Sequence, residues 1–301
     1  MKRRMKKTAT LILVLSLGLA MVAGCGTKPA SQEGKNDADK SPGKVMLAVS
    51  FGTSYNDNRD LSIGGVEKAL QKAYPDYEVR RAFTSQIIID KLKERDGLKI
   101  DNVTEAMDRL VADGIKEVVI QPTHVMSGFE YDDVVAEVTP YKDKFDSFKV
   151  GKPLLTTDAD YDEVVSIITK ETKTYDVDGT AIVFMGHGTE HEANATYAKL
   201  QQRMTAAGHK NYFIGTVEAT PSLEDISALV KASGVTKVVL LPLMIVAGDH
   251  ANNDMAGDEA DSWKSTFEAQ GYQVECVLTG LGQYDGIQQM FVKHVGETIG
   301  K

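Results

Sequence analysis

The sequence predicts an α/β protein of two similar Rossmann-like lobes, each a parallel sheet flanked by helices, with a cleft between them. Three observations lead there. Apolar, β-rich runs alternate with amphipathic helical stretches from about residue 44 to the end. Runs such as Ala181-Ile-Val-Phe-Met185 and Val238-Val-Leu-Leu241 lack in/out alternation, as strands covered on both faces do. The chain also repeats itself: Val45-Met-Leu-Ala-Val-Ser-Phe-Gly-Thr53 matches Ala181-Ile-Val-Phe-Met-Gly-His-Gly-Thr189. Likewise, the stretch from Val119 through Pro122 to Glu130 matches that from Leu240 through Pro242 to His250.

The first lobe, 44–150, opens with a strand at 45–51, followed by a helix at 59–73 and a strand at 77–83. Helices at 86–96 and 103–113 come next, the second announced by the capping pattern Asp101-Asn-Val-Thr-Glu105. A strand at 116–121, a helix at 130–144 and a strand at 147–150 complete it. The second lobe, 151–301, has strands at 180–186, 211–217, 236–245 and 272–278. Its helices are expected at 160–174, 192–207, 222–233, 257–270 and 284–298. Thr220-Pro-Ser222 before Leu-Glu-Asp-Ile226 supplies a cap and an acidic first turn.

Ahead of the lobes, Lys2, Arg3, Arg4, Lys6 and Lys7 precede an apolar run from Leu11 to Ala23. A basic start and a short apolar core describe an export signal, 1–24; a spanning helix needs roughly 20 apolar residues. Val22-Ala-Gly-Cys25 resembles a bacterial lipoprotein cleavage box, which implies a lipid on Cys25 and an anchor on the extracytoplasmic face of the membrane. The plainer alternative is a conventional signal peptide with an incidental cysteine. Residues 25–43 are polar, without hydrophobic period, and read as a flexible tether. With Cys25 acylated, Cys276 has no disulfide partner and reads as a buried, inert thiol. The net charge of −9 becomes more negative once the basic start is removed, which argues against nucleic acid as a partner.

The repeat carries a chemical difference. Phe51 faces His187 in the matched turns, and Glu130 faces His250. Aligning Ala82-Phe-Thr-Ser85 with Val217-Glu-Ala-Thr220 sets Phe83 opposite Glu218. Ligands in open α/β sheets bind beyond the carboxyl ends of the strands, where His187, Glu218 and His250 would converge from three loops of one lobe. Two imidazoles and a carboxylate suit a divalent first-row ion with open positions for substrate. Taken singly, His187 is equally a turn residue bonded to a carbonyl and His250 a solvated loop residue; their paired positions favour a site. His124 either lines the cleft from the first lobe or is structural. One of Arg80 and Arg81 would point into the cleft to meet substrate carboxylates. His209 and His294 are assigned to a loop and a surface helix, and Trp263 to packing. No GxGxxG or P-loop follows Gly52 or Gly188, so nucleotide binding has no support.

Seven ordered segments resemble the anaerobic sirohydrochlorin cobaltochelatases, within the class II tetrapyrrole chelatases: Val49–Ser54, Asp76–Ser85, Leu92–Gly97, Gln121–His124, Met185–Thr189, Val217–Pro221 and Ala247–His250. The resemblance implies that Co2+ enters sirohydrochlorin and two pyrrole protons leave, a step of cobalamin biosynthesis. It also implies that His187, Glu218 and His250 bind the metal, other divalent first-row ions being possible, with His187 as proton acceptor. Phe51 and Phe83 would wall the macrocycle. The exported start departs from the cytoplasmic setting of such enzymes and leaves a second reading, an extracytoplasmic lipoprotein that binds metal or a metallated tetrapyrrole. A two-lobed solute receptor is a third, which would not explain imidazoles confined to one lobe.

Overall fold

A computed structural model describes residues 43–301. The signal segment, Cys25 and nearly all of the tether lie outside the described residues. No helix among the described residues is long and apolar enough to cross a membrane.

The first lobe runs β1 (Lys44–Ser50), α1 (Asn56–Ala73), β2 (Glu78–Phe83), α2 (Gln86–Asp96), α3 (Val103–Ala112), β3 (Glu117–Pro122), α4 (Phe129–Val138) and β4 (Ser147–Val150). The second runs α5 (Asp158–Glu171), β5 (Thr180–Gly186), α6 (Ala195–Ala206), β6 (Tyr212–Thr216), α7 (Leu223–Ser233), β7 (Lys237–Pro242), α8 (Trp263–Ala269), β8 (Gln273–Cys276) and α9 (Asp285–Ile299). Two parallel sheets result, ordered β2-β1-β3-β4 and β6-β5-β7-β8, so the internal repeat is a repeat of topology.

Each central strand is buried on both faces, as its unbroken apolar run requires. On β1, Val45, Leu47 and Val49 face α3 and α4 through Met107, Leu110, Val134 and Val138, while Met46 and Ala48 face inward. On β5, Val183 and Met185 meet Ile226 of α7 and Trp263 and Phe267 of α8, while Ile182 and Phe184 turn inward. The inward residues of both sheets share one core with Leu70, Tyr161, Leu200, Met290 and Phe291. Burial of this apolar surface, at about 25 cal/mol per Å2, locks the lobes together.

Helix α9 follows the second sheet in sequence but packs against α1, β3 and β4 of the first. Tyr74 donates its hydroxyl hydrogen to the Val292 carbonyl at 2.7 Å. A boundary at residue 150 therefore separates the sheets but not the helices that cover them. His294 is also no surface residue: it is fully buried, with Nε2 3.2 Å from the equally buried Asp160 of α5. The predicted helix at 257–270 is shorter. A π-helical turn at Ala251–Met255 precedes it, and α8 starts only after Ser262, whose side chain accepts from the Ser265 N–H. The last strand of the central pair stops at Pro242, short of the predicted 245.

Burial lowers the pKa of His294 below the ordinary 6.5, against the pull of Asp160. An unfolded chain thus binds more protons than the native one below that value, so stability rises with pH there. The unfolding free energy from denaturant titrations should fall from about pH 7 to 5, by at most about 1.4 kcal/mol per pH unit for each such histidine. The His294→Gln variant should show a shallower dependence; an unchanged slope would contradict the assignment.

Candidate metal centre

The site is built at the carboxyl ends of β5, β6 and β7. Parallel pairing continues past the strand ends, with the Val217 N–H donating to Gly186 O at 3.0 Å and the Glu218 N–H to His187 O at 2.9 Å. That last bond fixes Glu218 beside His187. The turn itself needs glycine. Gly188 has φ +88°, and a Cβ there would lie 2.7 Å from the backbone nitrogen of Ala219. Its N–H donates to the Tyr197 hydroxyl at 3.1 Å. His250 arrives from the third strand end, immediately before the π-helical turn.

The three side chains offer ligand atoms that all lie within 4.8 Å of one another. His187 Nε2 is 3.8 Å from Glu218 Oε2, and the two imidazole rings meet edge to face at 4.7 Å between centroids. A tetrahedral ion with bonds of about 2.1 Å sets its donors about 3.4 Å apart, within reach of small side-chain rotations here. Each imidazole also has its other nitrogen occupied. His187 Nδ1 lies 2.8 Å from the Gly188 carbonyl, and His250 Nδ1 lies 2.6 Å from Asp254 Oδ2. Both acceptors require a proton on Nδ1, which leaves the Nε2 lone pairs for an ion. The site is open, with His187 and Glu218 exposed and His250 half-buried.

From the first lobe, Glu130 at the start of α4 lies within electrostatic reach of His187, and Phe51, 46% exposed, occupies the turn that matches His187. Burial raises the Glu130 pKa, partly offset by His187 across the cleft and reinforced by Asp133. His124 lies behind Glu130, with Nε2 3.4 Å from Oε2 but poorly aligned, so both ring nitrogens lack a hydrogen-bond partner. Its burial lowers its pKa to about 4. A bridge between lobes flanks the site, where His191 lies 3.4 Å from Asp132 and its ring meets Phe129 edge to face.

Three expected contacts are not brought here. Phe83 is fully buried with Ile63, Ile89 and Leu92, under Gly52, whose φ is +100°. The reason is register. Phe83 pairs with Ser50 as Thr216 pairs with Gly186, so Ser85, not Phe83, is the counterpart of Glu218. The Ser85 N–H accordingly donates to Phe51 O as that of Glu218 does to His187 O. Arg80 and Arg81 sit three and two residues before the strand end and are held within their own lobe. Arg81 makes two 2.6 Å bonds to Glu67 of α1, and Arg80 pairs with Asp113 and Glu78. Arg81 lines a groove of about 860 Å3 together with Arg59 and Arg109, and none of the three ligands lines it. Cys276 is half-buried in β8, its thiol pKa pushed up to about 11 by burial.

Comparison with known proteins agrees with this geometry. The profile of the family "Cobalt chelatase (CbiK)" matches residues 44–300. The chain belongs to the cobalt chelatase (CbiK) family. It is 41% identical over 256 residues to the sirohydrochlorin cobaltochelatase of Salmonella typhimurium, covering 85% of this chain and 96% of that protein. It is 32% identical to the sirohydrochlorin cobaltochelatase CbiKC of Nitratidesulfovibrio vulgaris, covering 85% and 90%. Among solved structures, the sirohydrochlorin chelatase SirB of Bacillus subtilis subspecies spizizenii, in complex with cobalt, is similar with a TM-score of 0.57. It is 14% identical over 85% of this chain and 95% of that one, a likeness that establishes the two-lobed fold.

Asp254 was not singled out by sequence, although its place four residues after His250 on a helical turn is a legible signal. Because it orients His250, the Asp254→Asn variant should bind Co2+ about 10- to 100-fold more weakly with its fold intact. Calorimetric titration against Co2+ checks this; wild-type affinity would contradict the orienting role.

Proposed function

We propose that the protein is a sirohydrochlorin cobaltochelatase, inserting Co2+ into the macrocycle with release of two protons. The observation that carries this reading is the convergence of the His187, Glu218 and His250 ligand atoms at strand ends of one lobe, in a chain matched from end to end of its folded part by this family. Cobalt here is substrate, so the site must hold it firmly enough to strip water and loosely enough to release it. An open set of two imidazoles and one carboxylate, with positions left for the macrocycle nitrogens, meets both demands. The flat tetrapyrrole would lie between the triad and the exposed ring of Phe51. His187 Nε2, once freed of cobalt, takes one pyrrole proton; proton transfer by a positioned group supplies about 10²- to 10⁴-fold.

On this reading His187→Ala abolishes insertion, followed by the absorption spectrum of sirohydrochlorin, while circular dichroism stays native because the matched turn forms around Phe51. Near-normal turnover in that variant would overturn the assigned mechanism.

We further propose, on Val22-Ala-Gly-Cys25 and the basic start, that the chain is exported and lipid-anchored through Cys25 on the extracytoplasmic face. Cys25→Ser should shift it from the membrane to the soluble fraction with unchanged specific activity. Continued membrane attachment would refute the anchor.

A further inference from the structure

His250 is held differently from the other two ligands. The turns that carry His187 and Glu218 are braced within their own lobe. The Gly188 N–H donates to the Tyr197 hydroxyl. Asn194 joins the two turns, accepting from the Thr189 N–H at 3.2 Å and donating to the Thr220 carbonyl at 2.8 Å. The segment that leads from β7 to His250 instead leans on the first lobe at three consecutive residues, Val246, Ala247 and Gly248. Val246 packs against the first-lobe cluster of Ile63, Phe83, Ile89 and Leu92. The Ala247 N–H donates to Oδ1 of Asn58, in the first turn of α1, at 2.7 Å. Gly248 lies so near Thr53 that an added Cβ would stand 3.4 Å from its hydroxyl oxygen.

Asn58 is the polar centre of this seam, and both ends of its amide are engaged. Oδ1 also accepts from the hydroxyl of the fully buried Ser62 at 3.0 Å, and Nδ2 donates to the Leu278 carbonyl at 3.3 Å. An N–H facing one end and a carbonyl the other leave the amide a single orientation. Ala247 is buried, and a buried backbone N–H is rarely left without a partner; Asn58 supplies it. The Ala247 carbonyl accepts from Asn252 Nδ2 at 3.2 Å. The residue three before His250 is therefore held by one lobe on each side. The repeat adds a contrast. Asn58 and Asn194 each stand six residues beyond a turn glycine, Gly52 and Gly188. Asn194 stays within its own lobe, whereas Asn58 reaches across to the other.

On the reading of His187, Glu218 and His250 as the cobalt site, we propose that Asn58 is a positioning residue for the metal: from the first lobe it seats the segment 246–248 and so sets where His250 meets cobalt. Asp254 orients the His250 ring, but it lies on the same π-helical turn and moves with it. That bond sets the direction of the ring and not the place of the turn. Asn58 sets the place. The metal centre is then complete only while the lobes are packed at this seam. A shift of the first lobe carries His250 relative to His187 and Glu218, whose turns are tied to each other. A macrocycle entering between the lobes can thereby move one ligand against the other two, which favours transfer of cobalt to the ring.

The test is the Co2+ affinity of the full chain, measured without sirohydrochlorin, with circular dichroism as the check on folding. Alanine at this half-buried helical position leaves the fold intact. Asn58→Ala should nonetheless bind Co2+ about tenfold more weakly, as happens when the support of a metal ligand is removed. Asn58→Asp keeps the acceptor for the Ala247 N–H and gives up only the longer bond to Leu278, so it should recover most of that loss. In a His250→Ala background, Asn58→Ala should change affinity by less than about twofold, because the ligand through which it acts is gone. Wild-type affinity in Asn58→Ala, even with a lowered melting temperature, would overturn the proposal and leave Asn58 a structural residue. Equal losses in the Ala and Asp variants would overturn it too, as would a loss of about tenfold that persists without His250. A wild-type chain that binds no Co2+ would instead overturn the metal-site reading on which the proposal rests.

Discussion

The chemistry of this protein depends on one constraint: the Nδ1 atoms of His187 and His250 are both engaged, by the Gly188 carbonyl and by Asp254. A free imidazole presents two nitrogens and rotates about two bonds. Here each ring is fixed in tautomer and direction, so His187 Nε2 stands 3.8 Å from Glu218 and the His250 Nε2 lone pair is left for an ion. The supports are of unlike kind, a glycine turn at one strand end and a π-helical turn at another. Both depend on the parallel sheet β6-β5-β7-β8 to bring the strand ends together. The sheet in turn depends on the core it shares with the first lobe and α9. Metal geometry is thus a consequence of packing on the far side of the strands.

The two lobes show how duplication separates function from folding. Both sheets have the same order, and both turns carry a glycine at positive φ, Gly52 and Gly188. The turn therefore forms whether the residue before that glycine is Phe51 or His187. With structure secured twice over, one copy is left free to hold a metal and the other to hold an apolar surface and a carboxylate. A cleft between unlike walls suits a flat, multiply charged macrocycle that must meet a cation on one face.

Much of the fold was legible because strands buried on both faces leave continuous apolar runs, and because Gly-Thr turns and Pro122 and Pro242 mark the same places in each copy. The triad was legible for the same reason, its histidines standing where the first copy has Phe51 and Glu130. Phe83 shows where this reasoning stops. Sequence likeness around β2 and β6 is weak, and aligning the segments two residues out of step set Phe83 against Glu218. Hydrogen-bond register, which sequence does not display, assigns that place to Ser85. Arg80 and Arg81 misled differently: charge marks them as ligand-binding, but Glu67 and Asp113, distant in sequence, already occupy them. The burial of His294 was hidden for a related reason, since α9 covers the opposite sheet from the one it follows.

Catalysis and capture by the same cleft differ in whether the metallated ring is let go. The most direct measurement is the number of sirohydrochlorin molecules metallated per protein with Co2+ in excess, counted from the absorption spectrum. Many equivalents, with two protons released for each, is the result expected of a chelatase. A spectral change that stops at one equivalent would contradict it and make the cleft a receptor.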